Sequence, residues 1–385
     1  MRIANVQKSR LHPKMLVENS KKCLFCQARL KKQLWSTIYE EMNIKKHIIT
    51  MRRNNYDPQV TIVKKHNAEV FRETTSFIKA GYYTTPTGKR IDLDMQPMID
   101  GSRCYHKDLG TVDAPKVEGG TTVRVEKDDC LKVAERMVTA GYNPALLNFA
   151  SATHPGGGVE GGARAQEETI CRRSTLSRSL FSFEATHANR YGYELHEGNN
   201  YPLTRSLDFS AIYSPQVTVF REAGPDYTLM ESPFQVGVIT NAALNMNGSY
   251  PIRLTPDGHI PEEGKAITRN KIRTILRIGL IKGHDSMVLG AFGCGAFKTP
   301  PREMAQLFKE VMAEEEFKDR YRVISFAILS DHNDRSGNLA AFEEVFGMKE
   351  QPHAENDNHD DEERKRRAFK NALSNMYLFE EGLWQ

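Results

Sequence analysis

Apolar and polar positions along the chain alternate between two periods. Ala145–Phe149 is a short continuous apolar run, too short for a helix, and reads as a buried strand. Further strand signals lie at Thr121–Val125, Gln216–Phe220, Val236–Thr240, Met287–Leu289 and Val323–Leu329. Between them the spacing turns helical. Phe71–Ala80, Asp128–Ala140, Ala165–Ser179, Lys265–Ile281 and Pro301–Glu314 each predict a helix, the second capped by Asp128 or Asp129. Tyr82–Leu93 predicts a hairpin around the turn sequence TPTGK. Strands that alternate with helices predict an α/β fold in three layers, an α/β/α sandwich. His187–Ser214 is polar without a clear period and reads as a surface excursion or lid.

Outside this core the pattern changes. Leu30, Leu34, Ile38 and Met42 recur at helical spacing in a stretch rich in Lys and Arg, and predict one amphipathic helix in an N-terminal extension of residues 1–67. The compact domain is expected over 68–347. Residues 348–385 form a charged tail in which ENDNHDDEERKRR places an acid block before a basic one. A basic N-terminal stretch leaves nucleic acid open as a partner, although a solvated helix face explains it as well.

Composition narrows the class. The chain has 385 residues, 39% of them hydrophobic, enough for one large domain with extensions or for two domains. A net charge of +4 is too small to imply nucleic-acid binding by itself. No apolar run reaches the length of a membrane span, and the N-terminus lacks the apolar core of a secretory signal. Cysteines at 23, 26, 104, 130, 171 and 294 are scattered as in a reducing compartment, so a cytoplasmic protein is expected, or a nuclear one in a eukaryote. Cys23 and Cys26 form a lone C-x-x-C with only His47 nearby, which falls short of a metal site. Neither a metal nor a cofactor is expected, and the protein is expected to act as a monomer.

The chemistry concentrates in LLNFASATHPGGGVEGGARAQEETICRRSTL, where five glycines precede the adjacent carboxylates Glu167 and Glu168. Gly156–Gly161 satisfies G-x-G-x-x-G between a strand and a helix, the context of a dinucleotide site. Two features count against that reading. Six residues, ASATHP, separate the strand from the first glycine, and no further strand–helix–strand unit follows Glu184. A P-loop lacks its Gly-Lys-Ser/Thr. A glycine turn without chemistry remains possible, as does a phosphate cradle in which backbone N–H groups converge at a helix N-terminus. A second loop favours the cradle. Met287–Ala291, FGCGAFKTPP and a helix opening at Pro300 or Pro301 repeat the order strand, glycine loop, helix.

Gly156-Gly157-Gly158, followed after seven residues by Gln166-Glu167-Glu168, resembles the GGG…QEE signature of the microbial-type poly(ADP-ribose) glycohydrolases, a branch of the macrodomain fold. The resemblance runs through CRRSTL, IYSPQVTVFR, VGVITNAALN and VLGAFGCGAFKTPP, over roughly residues 68 to 347. It implies a macrodomain-like sandwich with a mixed sheet and cleavage of the ribose–ribose glycosidic bond, from the exposed end of the polymer. It also implies Glu168 as the proton-transferring residue and Glu167 as the group that positions a ribose hydroxyl. Asn148 and Phe297 would lie at the distal ribose. Gly156, Gly157, Gly158, Gln166, Gly293, Cys294, Gly295 and Ala296 would line the ligand. His154 stands where the pattern has Asn, and Ser177 where Tyr is usual. The partner is then poly(ADP-ribose) or an ADP-ribosylated macromolecule. A mono-ADP-ribosyl hydrolase would use the same two glutamates, and a non-catalytic ADP-ribose-binding module would not need them. Adjacent helical residues point about 100° apart, so the two carboxylates are not expected to face one bond together.

Overall fold

The computed structural model describes residues 58–247, 252–329 and 337–347. The amphipathic helix at 30–42, the C-x-x-C and the charged tail lie outside the described residues. The chain divides into two units, 1–66 and 67–385, and apart from the first turns of the first helix everything below belongs to the second.

Helix α1 (Pro58–Ala80) leads into the hairpin β1 (Tyr82–Thr84) and β2 (Arg90–Asp92), paired in the register Tyr83↔Ile91. Then follow α2 (Gln96–Gly101), β3 (Arg103–Tyr105), β4 (Thr122–Glu126), α3 (Cys130–Thr139) and β5 (Pro144–Phe149). Helices α4 (Gln166–Arg173), α5 (Leu176–Leu180) and α6 (Ala185–Tyr191) precede the long strands β6 (Ala211–Arg221) and β7 (Leu229–Asn241). The rest is α7 (Glu262–Ile281), β8 (Ser286–Leu289), α8 (Pro301–Met312), β9 (Val323–Ala327) and α9 (Asn338–Phe346).

Seven strands form one mixed sheet in the order β3-β6-β7-β5-β8-β9-β4. The β3–β6 and β6–β7 pairs are antiparallel, and the other four pairs are parallel. Both faces are covered. Ala145 and Leu147 point into a core with Ile272, Ile275 and Leu276 of α7 and Leu307 and Phe308 of α8. Leu146, between them, joins Leu131 and Met137 of α3 and Ile170 of α4 on the other face. Period-two alternation with both faces buried makes the strand read as continuously apolar. The expected three layers are therefore present.

The structure departs from the pattern reading in several places. The helix expected over Ala165–Ser179 is broken. Ser174 bridges to Val219, and Thr175 exchanges bonds with Thr218, its N–H donating to Thr218 O at 3.0 Å and its Oγ1 accepting from Thr218 N at 3.0 Å. Backbone committed to β6 cannot also continue a helix. The excursion His187–Ser214 buries Tyr201 and Leu203, and its last residues belong to β6. Helices α2 and α9 and strand β3 are additional; α2 and β3 are too short to show a period.

One buried ion pair ties the layer that carries the glutamates. Asp129 caps α3, accepting from Leu131 N at 3.0 Å and Lys132 N at 3.1 Å, and the same oxygen accepts from Arg173 Nη1 at 2.8 Å. Arg173, at the end of α4, is buried and also donates to Arg221 O at 3.1 Å. Removing one member leaves the other charge desolvated and alone. Asp129→Ala is therefore expected to destabilise the fold by about 3–5 kcal/mol. Asp129→Asn, which keeps an acceptor for the cap, is expected to cost less. Urea denaturation of the two variants checks the order.

Candidate active site

The carboxyl ends of β5, β7 and β8 lie side by side in the sheet, and each opens into a loop. The β5 loop carries the glycine cluster and the β8 loop carries the second one. In α/β sheets this edge is where ligands bind.

Gln166, the first residue of α4, braces the end of β5. Its Oε1 accepts from Phe149 N at 2.8 Å and its Nε2 donates to Leu147 O at 2.9 Å. An amide side chain here replaces the missing strand partner on both sides of Asn148. That brace fixes where the helix begins, so Glu167 and Glu168 enter at its first turn, where the helix dipole favours negative charge. Neither glutamate is exposed; Glu167 is 2% and Glu168 8% accessible.

The glycine loop supplies the donors that such burial requires. Glu167 Oε1 accepts from Gly156 N at 3.2 Å and from Asn148 Nδ2 at 3.4 Å, and its Oε2 accepts from Ser151 N at 2.8 Å. Glu168 Oε1 accepts from Gly158 N at 2.9 Å. Gly157 turns between them at φ +58°, its own N–H closing a turn on His154 O at 2.9 Å. A Cβ on Gly157 would sit 2.5 Å from Glu168 Oε1 and 3.0 Å from Glu167 Oε2. Both carboxylates thus converge on one glycine, although the residues diverge around the helix, because the long side chains bend back to the same donors. Three of the loop N–H groups, of Ser151, Gly156 and Gly158, therefore serve the protein's own carboxylates.

The electrostatic consequences differ for the two. Burial pushes the Glu167 carboxyl up to about 8, against the opposing pull of its hydrogen bonds, and the charge of Glu168 adds to the rise. Glu168 keeps one oxygen, Oε2, buried and without a hydrogen-bond partner. Asn148 is fully buried; its Nδ2 also donates to Thr240 Oγ1 at 3.2 Å, across the Asn148↔Thr240 register, while its Oδ1 has no partner. Unsatisfied buried acceptors are costly, and Asn148 Oδ1 and Glu168 Oε2 both belong to this one cluster.

In the second loop Gly293 sits at φ +78°, where a Cβ would meet Ala243 Cβ and Thr299 Oγ1, both at 2.7 Å. Cys294 is buried and its thiol donates to Phe292 O at 3.6 Å. Gly295 and Ala296 are exposed at the tip. Phe297 is half-buried against the core, and its carbonyl accepts from Met246 N at 2.8 Å. His154, where the pattern has Asn, shapes the turn through its backbone and exposes its side chain. Ser177, where Tyr is usual, is buried with an unpartnered hydroxyl.

The structure thus brings Asn148, Gly156, Gly157, Gly158, Glu167 and Glu168 into one cluster, with Gln166 behind it on the strand backbone. Gly293–Phe297 lie on the neighbouring loop. Sequence reasoning did not single out Ser151, whose contribution is a backbone N–H, or Thr240, whose place opposite Asn148 depends on strand register. Arg172 was also missed. It is fully buried beneath the loop and donates to Ala163 O at 2.5 Å; an arginine in the last turn of a helix gave no signal.

Residues 71–222 match the family model of the microbial-type PARG catalytic domain, a segment that ends beyond the paired glutamates and before the second loop. Among solved structures, the poly(ADP-ribose) glycohydrolase of Thermomonospora curvata is 30% identical over 73% of this chain and 99% of its own, with a TM-score of 0.61. That of Deinococcus radiodurans, solved in complex with ADP-ribose, is 27% identical over 66% of this chain and 97% of its own, with a TM-score of 0.51. No protein of curated function matches the chain. With nearly the whole length of the Thermomonospora enzyme spanned at that identity, and with the signature glutamates held by the signature glycines, the chain belongs to the microbial-type poly(ADP-ribose) glycohydrolases.

Proposed function

We propose that this chain hydrolyses the ribose–ribose glycosidic bonds of poly(ADP-ribose) from the exposed end of the polymer, with Glu168 as general acid and then general base. The observation that carries the assignment is Glu168 itself. One carboxylate oxygen is fixed by Gly158 N and the other is buried with no protein partner, a group positioned with an atom still to be used. That oxygen delivers a proton to the departing ribose oxygen as the glycosidic bond breaks. It then accepts a proton from the water that adds to the anomeric carbon. The transition state has oxocarbenium character and is stabilised by nearby negative charge.

Glu167 takes the positioning role. Raised to about 8, it holds its proton at neutral pH and can donate it to a ribose hydroxyl. Asn148 Oδ1 faces the same ligand as an acceptor. Gly156, Gly157 and Gly158 line the first loop, and Gly293, Cys294, Gly295 and Ala296 line the second, with Phe297 against the distal ribose. Gln166 acts behind the site, by fixing β5 against α4. The catalytic unit is taken as 68–347 with a macrodomain-like sandwich, and 1–67 and 348–385 as appendages. The ADP-ribose complex of the Deinococcus enzyme supports a diphosphate-bearing ligand. Among the described residues no helix is long and apolar enough to cross a membrane, and the four described cysteines form no disulfide with one another; the cytoplasm is the proposed location. Incubation with labelled poly(ADP-ribose) and, separately, with mono-ADP-ribosylated protein tests the substrate: ADP-ribose released from the polymer is expected. Release only from the mono-modified protein would move the activity to that class.

Glu168→Gln preserves size and can still hydrogen-bond, but has no carboxyl proton to give. Turnover is expected to drop by about 100-fold or more, with ADP-ribose affinity in calorimetry nearly unchanged. Near-normal turnover would remove Glu168 from the chemistry.

Gly157→Val places a Cβ where the Glu168 carboxylate now lies and forces a branched residue into positive φ. The backbone term alone costs roughly 1–2 kcal/mol. Turnover is expected to fall about as far as in Glu168→Gln, and the shift in melting temperature induced by ADP-ribose to shrink. An intact ligand-induced shift with intact turnover would show the loop to be a plain turn.

The Glu167 carboxyl titrates near 4.5 when unfolded and at about 8 in the fold. The folded state therefore binds the extra proton, and stability is lost as pH rises from the first value through the second. Glu167→Gln abolishes that titration. Its melting temperature relative to the parent is expected to rise steadily between about pH 5 and about pH 9. A difference that stays flat across the range would place the Glu167 carboxyl in the ordinary range.

A further inference from the structure

Away from the glutamates, a second cluster of potential ligands lies at the far edge of the sheet. Cys104 is on β3, the outermost strand, and His106 follows it by two residues, so both lie on one face of the extended chain. Glu197 comes from the loop after α6. The ligand atoms of the three side chains all lie within 4.8 Å of one another. Their backbones are independently fixed. Cys104 pairs with Ile212 of β6. His196 N donates to Ser182 O at 2.8 Å and Ala185 N to Asn199 O at 3.0 Å, which pins the chain on both sides of Glu197.

The cluster contains an unexplained atom. His106 Nδ1 is buried and has no hydrogen-bond partner. A buried ring nitrogen without a partner costs free energy that nothing in the protein repays. The Cys104 thiol is nearly as poorly served, with only a long contact to Tyr105 O at 3.7 Å. A cation held through that nitrogen and the thiol would satisfy both at once. The donor set decides which kind. Calcium and magnesium demand oxygen ligands, whereas one thiol, one imidazole and one carboxylate suit a borderline ion.

We propose that Cys104, His106 and Glu197 form a zinc-binding site that fastens the 192–201 segment to the edge strand β3. A tetrahedral zinc with bonds of about 2.0–2.3 Å needs ligand atoms about 3.3–3.8 Å apart, a closure that side-chain rotations supply from the present spacing. Water takes the fourth position, because Glu197 is exposed. The Zn–S bond forms as the thiol proton leaves to solvent. The other two ligands each coordinate through a lone pair, of a ring nitrogen and of a carboxylate oxygen. Arg205 pairs with one oxygen of Glu197 and leaves the other for the metal. The set was not visible in the sequence because Glu197 is remote from the other two along the chain.

The test uses the full-length, metal-free protein and zinc itself. Each cysteine is alkylated with iodoacetamide, with and without zinc, and the rate at each site is read by peptide mass mapping. That separates Cys104 from Cys23 and Cys26, which could take zinc on their own. Zinc is expected to slow alkylation of Cys104 by about tenfold or more, because a metal-bound thiolate is shielded. The protection is expected to disappear in His106→Gln. A Cys104 rate that zinc leaves unchanged in the unaltered protein overturns the proposal without recourse to any variant, as does protection that survives His106→Gln in full.

Discussion

The structure is organised around the burial of two adjacent carboxylates. Side by side at 2% and 8% accessibility, Glu167 and Glu168 lose their water, and the charge of Glu168 helps to keep the proton on Glu167. Such a pair persists only where fixed donors replace the solvent. The donors are backbone N–H groups, of Gly156, Ser151 and Gly158, reinforced by the Asn148 amide. Backbone groups can approach that closely only if no Cβ stands between. At Gly157 a Cβ would lie 2.5 Å from one carboxylate and 3.0 Å from the other. The glycine cluster and the glutamate pair are therefore two halves of one requirement.

The rest of the domain holds those halves in register. Gln166 joins the first residue of the helix to the last residues of β5, and the Asp129–Arg173 pair ties the far end of that helix to the start of α3. The break after Arg173 turns the chain onto β6 rather than letting the helix run on. Rigid attachment at both ends is what the proton transfer proposed for Glu168 would need, since its effect depends on distance and angle to the reacting bond. It also explains why the two glutamates differ. Glu167 is enclosed by donors and carries a raised pKa, while Glu168 retains an oxygen that no protein group uses.

Much of this was legible from the chain alone. The apolar runs marked β5, β8, β9 and the carboxyl half of β7, and the helical spacing marked α3, α7 and α8 within a few residues of their bounds. Asp129 was one of two residues named as the cap of α3, and the structure selects it. The GGG…QEE spacing located the cluster, because glycine freedom and paired carboxylates are properties of residue type. Elements without a period of their own escaped: α2 and β3 are too short, and the single helix expected over Ala165–Ser179 was broken by pairing with a strand far along the sequence.

What the sequence by itself determined was most of the strands and long helices, the two glycine loops and the candidate site residues. Only the tertiary structure decided what each glycine is for. Sequence reasoning aimed the loop N–H groups at a phosphate, and the fold turns Gly156 and Gly158 toward the protein's own carboxylates. It also decided that both glutamates meet at Gly157, that Thr240 stands opposite Asn148, and that Glu197 reaches Cys104 and His106. The physical reason is the same in each case. Residue type and spacing fix local conformation, whereas the direction of a donor and the partner across a strand are set by contacts between segments that the linear order does not bring together.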